Sequence, residues 1–230
     1  MSNASTISAG RLYRILDFSR AVQIFESGSL YFAHPRTWDD PYEARVEHQG
    51  SHALFAQCWC QLGVSDAMWR IYSPTHMGVR ISTSTKKLSD AVRASIKAQG
   101  LGYGWEAGSV RYLSQHDLNL QVRKIASSLQ KNFDLSTAVK ILYLKREAFM
   151  HESEWRATIF CPDADRAQVR KGISVDINPH NIIDSILLDP RAPQELVDAF
   201  TYYFKEKLKF KGRVLRSVLY KSPKRIQLVD

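Results

Sequence analysis

Apolar residues recur along the chain at two spacings, every second residue and every third or fourth, which are typical of strands and of helices. Strands are predicted over residues 11–16, 29–33, 53–59, 78–82, 110–113, 157–160, 173–177 and 182–188, and near Val214 and Ile226. Helices are predicted over residues 18–27, 65–72, 86–99, 118–132, 137–149 and 194–210. Because these elements mix without a steady βαβ rhythm, the pattern predicts an α+β fold with a mixed, mostly antiparallel central sheet and flanking helices.

The composition limits the classes of protein to which the chain can belong. Its 230 residues, 44% of them hydrophobic, can bury a full core. We expect a flexible leader over residues 1–10 and a single α+β domain over residues 11–230, with a basic C-terminal helix and strands. No apolar run approaches the roughly 18 residues that cross a bilayer, and the N-terminus lacks the features of a secretory signal. Three cysteines, predicted as reduced thiols, make no disulfide framework. A cytoplasmic protein without membrane contact is therefore predicted, and its oligomeric state is left open.

Positive charge is concentrated at the end of the chain. The formal net charge is +9, and residues 205–230 contain nine Lys and Arg against two acidic residues. Such a segment could dock phosphates, and its candidate nucleic-acid contacts are Lys205, Lys209, Lys211, Arg213 and Arg216. A cationic helix end followed by a lysine-lined sheet edge would have the same composition. The charge pattern leaves both interpretations open.

The segment 152–156 carries the most informative chemistry. On a strand, Glu152, Glu154 and Arg156 would share one face and Trp155 would occupy the other. Two carboxylates that close together repel, so one has a raised pKa unless a cation lies nearby. The alternative is a solvated face on which Arg156 pairs with its neighbours. The pattern alone does not separate a catalytic pair from that surface.

An acidic loop lies upstream, over residues 38–43. Asp40 precedes a proline, which excludes the helical region for that residue and predicts a loop. His34, Asp39, Asp40 and Glu43 could converge on a hard cation, or the acids could serve turn chemistry. Turn chemistry is the favoured interpretation for Asp39, and Asp40 and Glu43 are left open. The seven histidines have no helical metal-binding spacing, so no metal site is predicted from them.

Several motifs together resemble one bacterial family. They are Leu12-Tyr13-Arg14, Gly28-Ser-Leu-Tyr-Phe32, Trp38-Asp-Asp-Pro-Tyr-Glu43, Met68-Trp-Arg-Ile-Tyr72 with His76-Met-Gly78-Val79, and Glu152-Ser-Glu-Trp-Arg156. In this order, from about residue 11 to about residue 190, they resemble the family catalogued as domain of unknown function 2971. That family carries no established activity.

A second, weaker resemblance suggests a chemistry. ADP-ribosyltransferases place an Arg or His on the first strand, a Ser-Thr-Ser or Tyr on a middle strand and a Glu on a late strand. This chain has Arg14, Ser82-Thr-Ser84 and Glu152-Ser-Glu154 in that order. Its opening is also similar to that of the DNA-modifying branch of the group. The fold is accordingly expected to be ADP-ribosyltransferase-like.

This second resemblance implies NAD as the substrate and a division of roles. Glu154 is expected to be the catalytic carboxylate, which stabilises an oxocarbenium-like state, and Glu152 to position the acceptor. The expected NAD-binding residues are Arg14 for the diphosphate or a ribose, Ser82 for the nicotinamide ribose, Trp69 or Tyr72 for the nicotinamide ring, and Tyr13 beside Arg14.

Three hypotheses about function follow. The first is an NAD-dependent mono-ADP-ribosyltransferase that modifies a nucleic acid or a protein, as a toxin or in phage defence. The second is a non-catalytic nucleic-acid-binding or regulatory module that uses the basic C-terminal region. The third is a metal-dependent nuclease built on Asp40, Glu43, Glu152 and Glu154.

Overall fold

The strands of the computed structural model are short, and most are antiparallel to their neighbours. The structure describes residues 10–43, 45–63, 65–100, 102–162, 171–224 and 226. Its strands are β1 (Arg11–Asp17), β2 (Ser29–Ala33), β3 (Leu54–Cys60), β4 (Gly78–Ser84), β5 (Gly104–Ser109), β6 (Arg111–Leu113), β7 (Leu144–Arg146), β8 (Glu154–Phe160), β9 (Gly172–Asp176), β10 (Ser185–Leu188) and β11 (Arg213–Arg216).

The helices lie between these strands. They are α1 (Phe18–Ser27), α2 (Asp66–Tyr72), α3 (Thr85–Ala98), α4 (Gln115–Lys131), α5 (Leu135–Val139), α6 (Pro179–Ile182) and α7 (Gln194–Tyr202), which continues as a π-helix over Tyr203–Lys207. Short 3-10 turns occupy Pro35–Thr37, Ser51–Ala53, Lys140–Tyr143 and Glu147–Glu152. None of the helices in the described ranges is both long enough and apolar enough to cross a membrane.

Within the described residues, nine of the strands form one sheet. A path runs β11-β10-β4-β1-β3-β2-β9, and β8 and β5 continue from the other edge of β3. The pair β10–β11 is parallel, and the other pairs of this sheet are antiparallel. A separate parallel pair joins β6 to β7. The predicted α+β fold with a mixed, mostly antiparallel central sheet is therefore confirmed.

The local sequence explains why the first elements form where they do. Strand β1 passes into α1 without a loop, and α1 buries Ala21, Val22, Ile24 and Phe25 at helical spacing. The helix ends at Gly28, which has φ 59° in the left-handed region that glycine adopts without steric cost. These boundaries match the predicted ones because both signals are local.

One edge of β3 is shared by two strands, and this feature positions the site. Strand β1 meets β3 near Tyr13 and Cys60, whereas β2 meets it near Ala33 and Ala56. Strand β8 pairs with the whole opposite edge of β3. Because β1 and β2 diverge, a cleft opens beside the middle of β3, where Cys58 lies.

Four predictions about elements were wrong. Residues 137–149 do not form one helix: α5 is followed by a 3-10 turn, by β7 and by a second turn. The extended segment β5 was missed, because its glycines gave no strand signal and it is held by pairing with β8. The predicted strand 182–188 begins only at Ser185, after α6. The predicted helix 194–210 ends earlier, at Lys207, and its last turn from Tyr203 is a π-helix.

Two further predictions lie at the ends of the chain. Most of the predicted leader falls outside the described residues. The residues on either side of Ile226 also fall outside them, and Ile226 itself is not in a strand. The division into a leader and one domain stays a prediction.

Candidate functional site

A cavity of about 200 Å³ opens between β1, β3 and α2. It brings together six of the seven residues predicted to act on NAD. Its polar and aromatic lining includes Tyr13, Arg14, Trp69, Tyr72, Glu152 and Glu154. We call it the site cavity.

Arg14 supplies positive charge to the site cavity. It lies on β1, and no described residue accepts a hydrogen bond from it or forms an ion pair with it. Burial lowers the pKa of its guanidinium to about 10; the nearby Arg20 adds to this shift, whereas Cys58 and Tyr72 oppose it. The group therefore remains charged at neutral pH. A half-buried cation without a carboxylate partner is ready to receive an anion.

A second cavity, of about 350 Å³, adjoins the first. Arg14, Leu16 and Arg20 line both cavities, so the two arginines lie at the boundary between them. The second cavity is otherwise lined mainly by hydrogen-bonding side chains from α1, β2, β3 and β9: Gln23, Ser27, Ser29, Tyr31, Gln57 and Ser174.

Helix α2 contributes the aromatic wall. Trp69 and Tyr72 are three residues apart and lie on one face of the helix. Ser65 caps the start of the helix, and its Oγ accepts a hydrogen bond from the Met68 backbone. At its other end, Arg191 donates to the carbonyls of Trp69 (2.9 Å) and Ser73 (2.8 Å). Both ends of the helix are therefore held, and the aromatic wall with them.

Behind the cavity wall, five charged side chains form what we call the ion cluster: Glu43, Lys145, Glu152, Glu154 and Arg156. Each is less than a tenth exposed. Lys145 Nζ lies 2.5 Å from Glu152 Oε2, 3.6 Å from Glu154 Oε1 and 3.7 Å from Glu43 Oε2. Arg156 donates to Glu43 and Glu154, and to the Leu142 carbonyl at 2.5 Å.

The ion cluster carries a net negative charge when all its members are ionised, since three carboxylates face two cations. Burial raises the pKa of Glu43, although Arg156 and Lys145 oppose that shift. Burial lowers the pKa of Lys145, but the carboxylates, with Glu154 first, raise it more, and the net shift is upward. The cations therefore stay protonated, and Glu152 and Glu154 are the members of the ion cluster that line the cavity.

Two motifs that are distant in sequence meet at Arg156. The Arg156 guanidinium lies 4.5 Å from the centre of the Trp38 ring and also binds Glu43. Asp40 serves turn chemistry instead: its Oδ1 accepts from the Tyr42 backbone at 3.0 Å and from Arg146 at 2.8 Å. Of the two acids that the sequence left open, Glu43 joins the ion cluster and Asp40 lies beside it.

Glu152 and Glu154 reach the same cavity by a route that the sequence did not predict. Glu152 ends a 3-10 turn and is not on the strand, which begins at Glu154. Between them Ser153 has φ 42°, a left-handed conformation. This kink, and not the alternation of a strand, directs both side chains to the cavity. The prediction that all three charged residues share a strand face was correct only for Glu154 and Arg156, whose Nε donates to Glu154 Oε2 at 3.0 Å.

Ser82 does not line the site cavity. It pairs with Tyr13 across β1 and β4, and its Oγ lies 2.7 Å from Ser185 Oγ on β10. Tyr13 does line the cavity, and Arg80 lies over its ring at 4.6 Å. The structure thus brings every candidate NAD-binding residue except Ser82 to one place.

The five candidate nucleic-acid contacts lie at the end of the described chain, around β11. Lys205 donates to the Gly212 carbonyl at 2.6 Å, and Arg216 donates to the Pro190 carbonyl. Lys209, Lys211 and Arg213 are exposed. None of the five lines the site cavity.

Sequence reasoning missed Lys145 and Tyr112. Lys145 was assigned to a helix, but it lies on β7 and reaches three carboxylates. Tyr112 lies on β6, and its hydroxyl accepts from the Glu154 backbone at 2.8 Å. Both are placed by the parallel pairing of β6 with β7, which joins segments more than 30 residues apart. No local signal marks such a pairing.

No group of three or more His, Cys, Asp or Glu side chains suited to a metal ion occurs among the described residues. The carboxylates that the nuclease hypothesis requires instead form ion pairs with lysine and arginine side chains.

Comparison with known proteins gives one family match and a distant likeness to solved structures of one protein. No curated protein matches the chain. Thermus sp. 2.9 DarT in complex with NAD+ is 12% identical, with 93% of this chain and 98% of that chain covered and a TM-score of 0.40. The same protein with ADP-ribosylated ssDNA is 12% identical over 93% of this chain and 97% of that one, with a TM-score of 0.41.

The family match falls on the segment that carries much of the site. The model described as "Protein of unknown function (DUF2971)" matches residues 68–157, which include Trp69, Tyr72, Lys145 and both cavity-lining glutamates. Over those residues the predicted resemblance to this family of unknown function is confirmed.

Proposed function

We propose that this protein is an NAD-dependent mono-ADP-ribosyltransferase. The observation that carries the proposal is the site cavity, which presents Arg14, a cation with no ion-pair partner in the described part of the chain, together with the carboxylates of Glu152 and Glu154. Trp69 and Tyr72 provide aromatic surface in the same cavity.

The charges of the cavity complement those of NAD. Its diphosphate is anionic, and Arg14 and Arg20 stand together where the two cavities meet. Its nicotinamide ring is cationic, and the ion cluster presents excess negative charge through Glu152 and Glu154. In this arrangement the nicotinamide riboside occupies the site cavity, against α2, and the rest of the dinucleotide extends past Arg14.

The reaction follows from this placement. The bond between C1′ of the ribose and the nicotinamide nitrogen breaks, and its electron pair leaves with neutral nicotinamide. Glu154 stabilises the positive charge that develops at C1′. A nucleophilic atom of the acceptor then bonds to C1′, and Glu152, which positions the acceptor, accepts its proton. Both hydrogen bonds from Arg156 go to Glu154 Oε2, so Oε1, which lies 3.6 Å from Lys145 Nζ, is the oxygen that would face the ribose.

The first test is nicotinamide release from NAD by the purified protein, with nucleic acid and cell lysate as acceptors. Glu154→Gln should lower the rate by about a hundredfold or more, on the order of the loss that follows removal of one electrostatic stabiliser. Exposed Glu195→Gln on α7 is the matched control and should keep the wild-type rate. Both variants are checked for folding by thermal unfolding.

Two outcomes would contradict the proposal. One is that the folded wild-type protein releases no nicotinamide with any acceptor. The other is that release continues unchanged in Glu154→Gln.

A nucleic-acid acceptor is the finer part of the proposal, supported by the exposed cations Lys209, Lys211 and Arg213. The double variant Lys211→Gln/Arg213→Gln should weaken binding to single-stranded nucleic acid and reduce the slope of log affinity against log salt by about one or two. Lys124→Gln/Lys131→Gln removes the same charge from α4 and should change neither. Equal effects of the two double variants would reject this surface.

Nucleic-acid binding and nicotinamide release, measured together, separate the second hypothesis from the first. A binding module would retain salt-dependent nucleic-acid binding in Glu154→Gln and would release no nicotinamide under any condition. The basic residues around β11 would then remain the functional surface.

A further inference from the structure

We propose that Lys145 is a positioning residue, whose ammonium group holds Glu152 beside Glu154 in the orientation that faces the site cavity. This inference rests on the proposed function, because it assigns Lys145 a part in the same reaction. Lys145 does not line the cavity itself.

The geometry matches one ammonium group to three carboxylates. A lysine ammonium has three N–H donors in a compact, strongly hydrated group. Its Nζ lies within 4 Å of Glu43, Glu152 and Glu154, and nearest to Glu152 at 2.5 Å. The ring of Phe149 lies 4.7 Å from the same atom and packs against it. Lys145 is therefore held in one place by contacts on several sides.

Glu152 depends on Lys145 more than Glu154 does. Arg156 donates two hydrogen bonds to Glu154, so that carboxylate keeps a cationic partner without Lys145. For Glu152, the cationic partner among the described residues is Lys145; its other side-chain contact is the Tyr72 hydroxyl, which donates to Oε1 at 3.4 Å. Removing Lys145 would leave a buried carboxylate with one long, neutral hydrogen bond.

Without Lys145, burial and the neighbouring carboxylates would favour the neutral form of Glu152, opposed only by the long hydrogen bond from Tyr72 and by the more distant Arg156. The titratable and charged groups that interact directly with Glu152 come from α2, β3, β6 and β7: Tyr72, Cys60, Tyr112 and Lys145. Glu43 from the acidic loop and Glu154 from β8 share Lys145 with it, and Arg156 binds both of those carboxylates. Lys145 is the nearest of these cations to Glu152.

The test compares Lys145→Met with Lys145→Arg in nicotinamide release across pH. Lys145→Met should lower kcat by about tenfold or more and leave the KM for NAD within about twofold, because Lys145 lies outside the cavity. The acid limb of its pH profile should move upward by about one unit or more. Lys145→Arg keeps the charge and should keep the wild-type pH profile.

A second variant separates positioning from simple structural support. Lys145→Met/Glu43→Gln restores the net charge of the ion cluster but not the contact with Glu152. We expect its melting temperature to recover toward the wild-type value while kcat remains low. If kcat recovers together with stability, Lys145 has only a structural role and the inference is overturned.

A measurement that does not depend on catalytic activity tests this inference separately from the proposed function. The carboxyl carbon of Glu152, assigned with Glu152→Gln, can be titrated by NMR in the wild-type and Lys145→Met proteins. An upward shift of about one unit or more in Lys145→Met supports the inference even if the wild-type protein releases no nicotinamide. An unchanged midpoint overturns it even if the transferase activity is found.

Discussion

Arg156 on β8 donates a hydrogen bond to Glu43, which lies 113 residues earlier in the chain. Its guanidinium also binds Glu154 and covers the ring of Trp38. This buried contact joins the acidic loop to the strand that begins with the candidate catalytic carboxylate. The position of Glu154 therefore depends on a residue that does not touch the cavity.

Loss of Arg156 should destabilise the protein strongly. Arg156→Met leaves Glu43 and Glu154 buried with one cation between them, and breaking such a buried ion group costs about 3–5 kcal/mol. Arg156→Lys should recover little of that, since an ammonium cannot reproduce the planar fork that reaches Glu43, Glu154 and the Leu142 carbonyl. Urea unfolding measures both costs. A cost below about 1 kcal/mol for Arg156→Met would contradict the buried-pair interpretation.

Replacement of Arg14 should separate stability from binding. Arg14→Met removes a cation that burial disfavours, so the unliganded protein should become more stable, by about 1 kcal/mol. The same variant should lose NAD binding in isothermal titration calorimetry, because the diphosphate has lost its partner. Arg93→Met on the exposed face of α3 is the control and should change neither quantity. A less stable Arg14→Met that still binds NAD would count against the assigned role.

The left-handed conformation of Ser153 makes a sharp prediction about backbone geometry. Ser153→Gly should preserve stability and activity, because glycine adopts φ 42° without steric cost. Ser153→Val should cost about 1–2 kcal/mol, since a β-branched residue is strained there. Nicotinamide release should fall with it, because the kink aims both carboxylates. Equal behaviour of the two variants in thermal unfolding and in turnover would show that the kink is not required.

Asp134 should contribute stability that depends on pH. Hydrogen bonds from Ser136 and Thr137 at the start of α5 lower its pKa to about 2, from an ordinary 3.8. A carboxyl whose pKa is lower in the folded state stabilises the protein above its ordinary pKa, and that contribution is lost as the pH falls from about 4 to about 2. Asp134→Ala should cost about 1 kcal/mol at pH 7, as expected for loss of a helix cap.

Asp134→Asn is the matched variant for that experiment. It keeps an acceptor at the cap but cannot titrate, so it should remain close to wild type at pH 7 and show a shallower loss of stability between pH 4 and pH 2. Urea unfolding at several pH values compares the three proteins. An acid transition of wild-type steepness in Asp134→Asn would assign the pH dependence to other groups.

Much of the fold could be predicted because its signals are local. The helix over Phe18–Ser27, the glycine that ends it and the strands β1 to β4 follow from periodicity and capping within a few residues. The glycine-containing strand β5 and the strand β7 could not be found this way, because each exists through pairing with a distant partner. Residues 137–149 show this: their apolar spacing resembles a helix, yet Leu144 packs as a strand.

The candidate site, like the fold, could be predicted from the sequence only in part. The sequence by itself determined the candidate residues Arg14, Trp69, Tyr72, Glu152 and Glu154, because the motifs that resemble ADP-ribosyltransferases are visible without a structure. Only the tertiary structure decided which of them meet, that Ser82 does not, and that Lys145 and Glu43 complete the ion cluster. The physical reason is that burial and ion pairing act over a few ångströms in space, between residues that the chain separates by up to 113 positions.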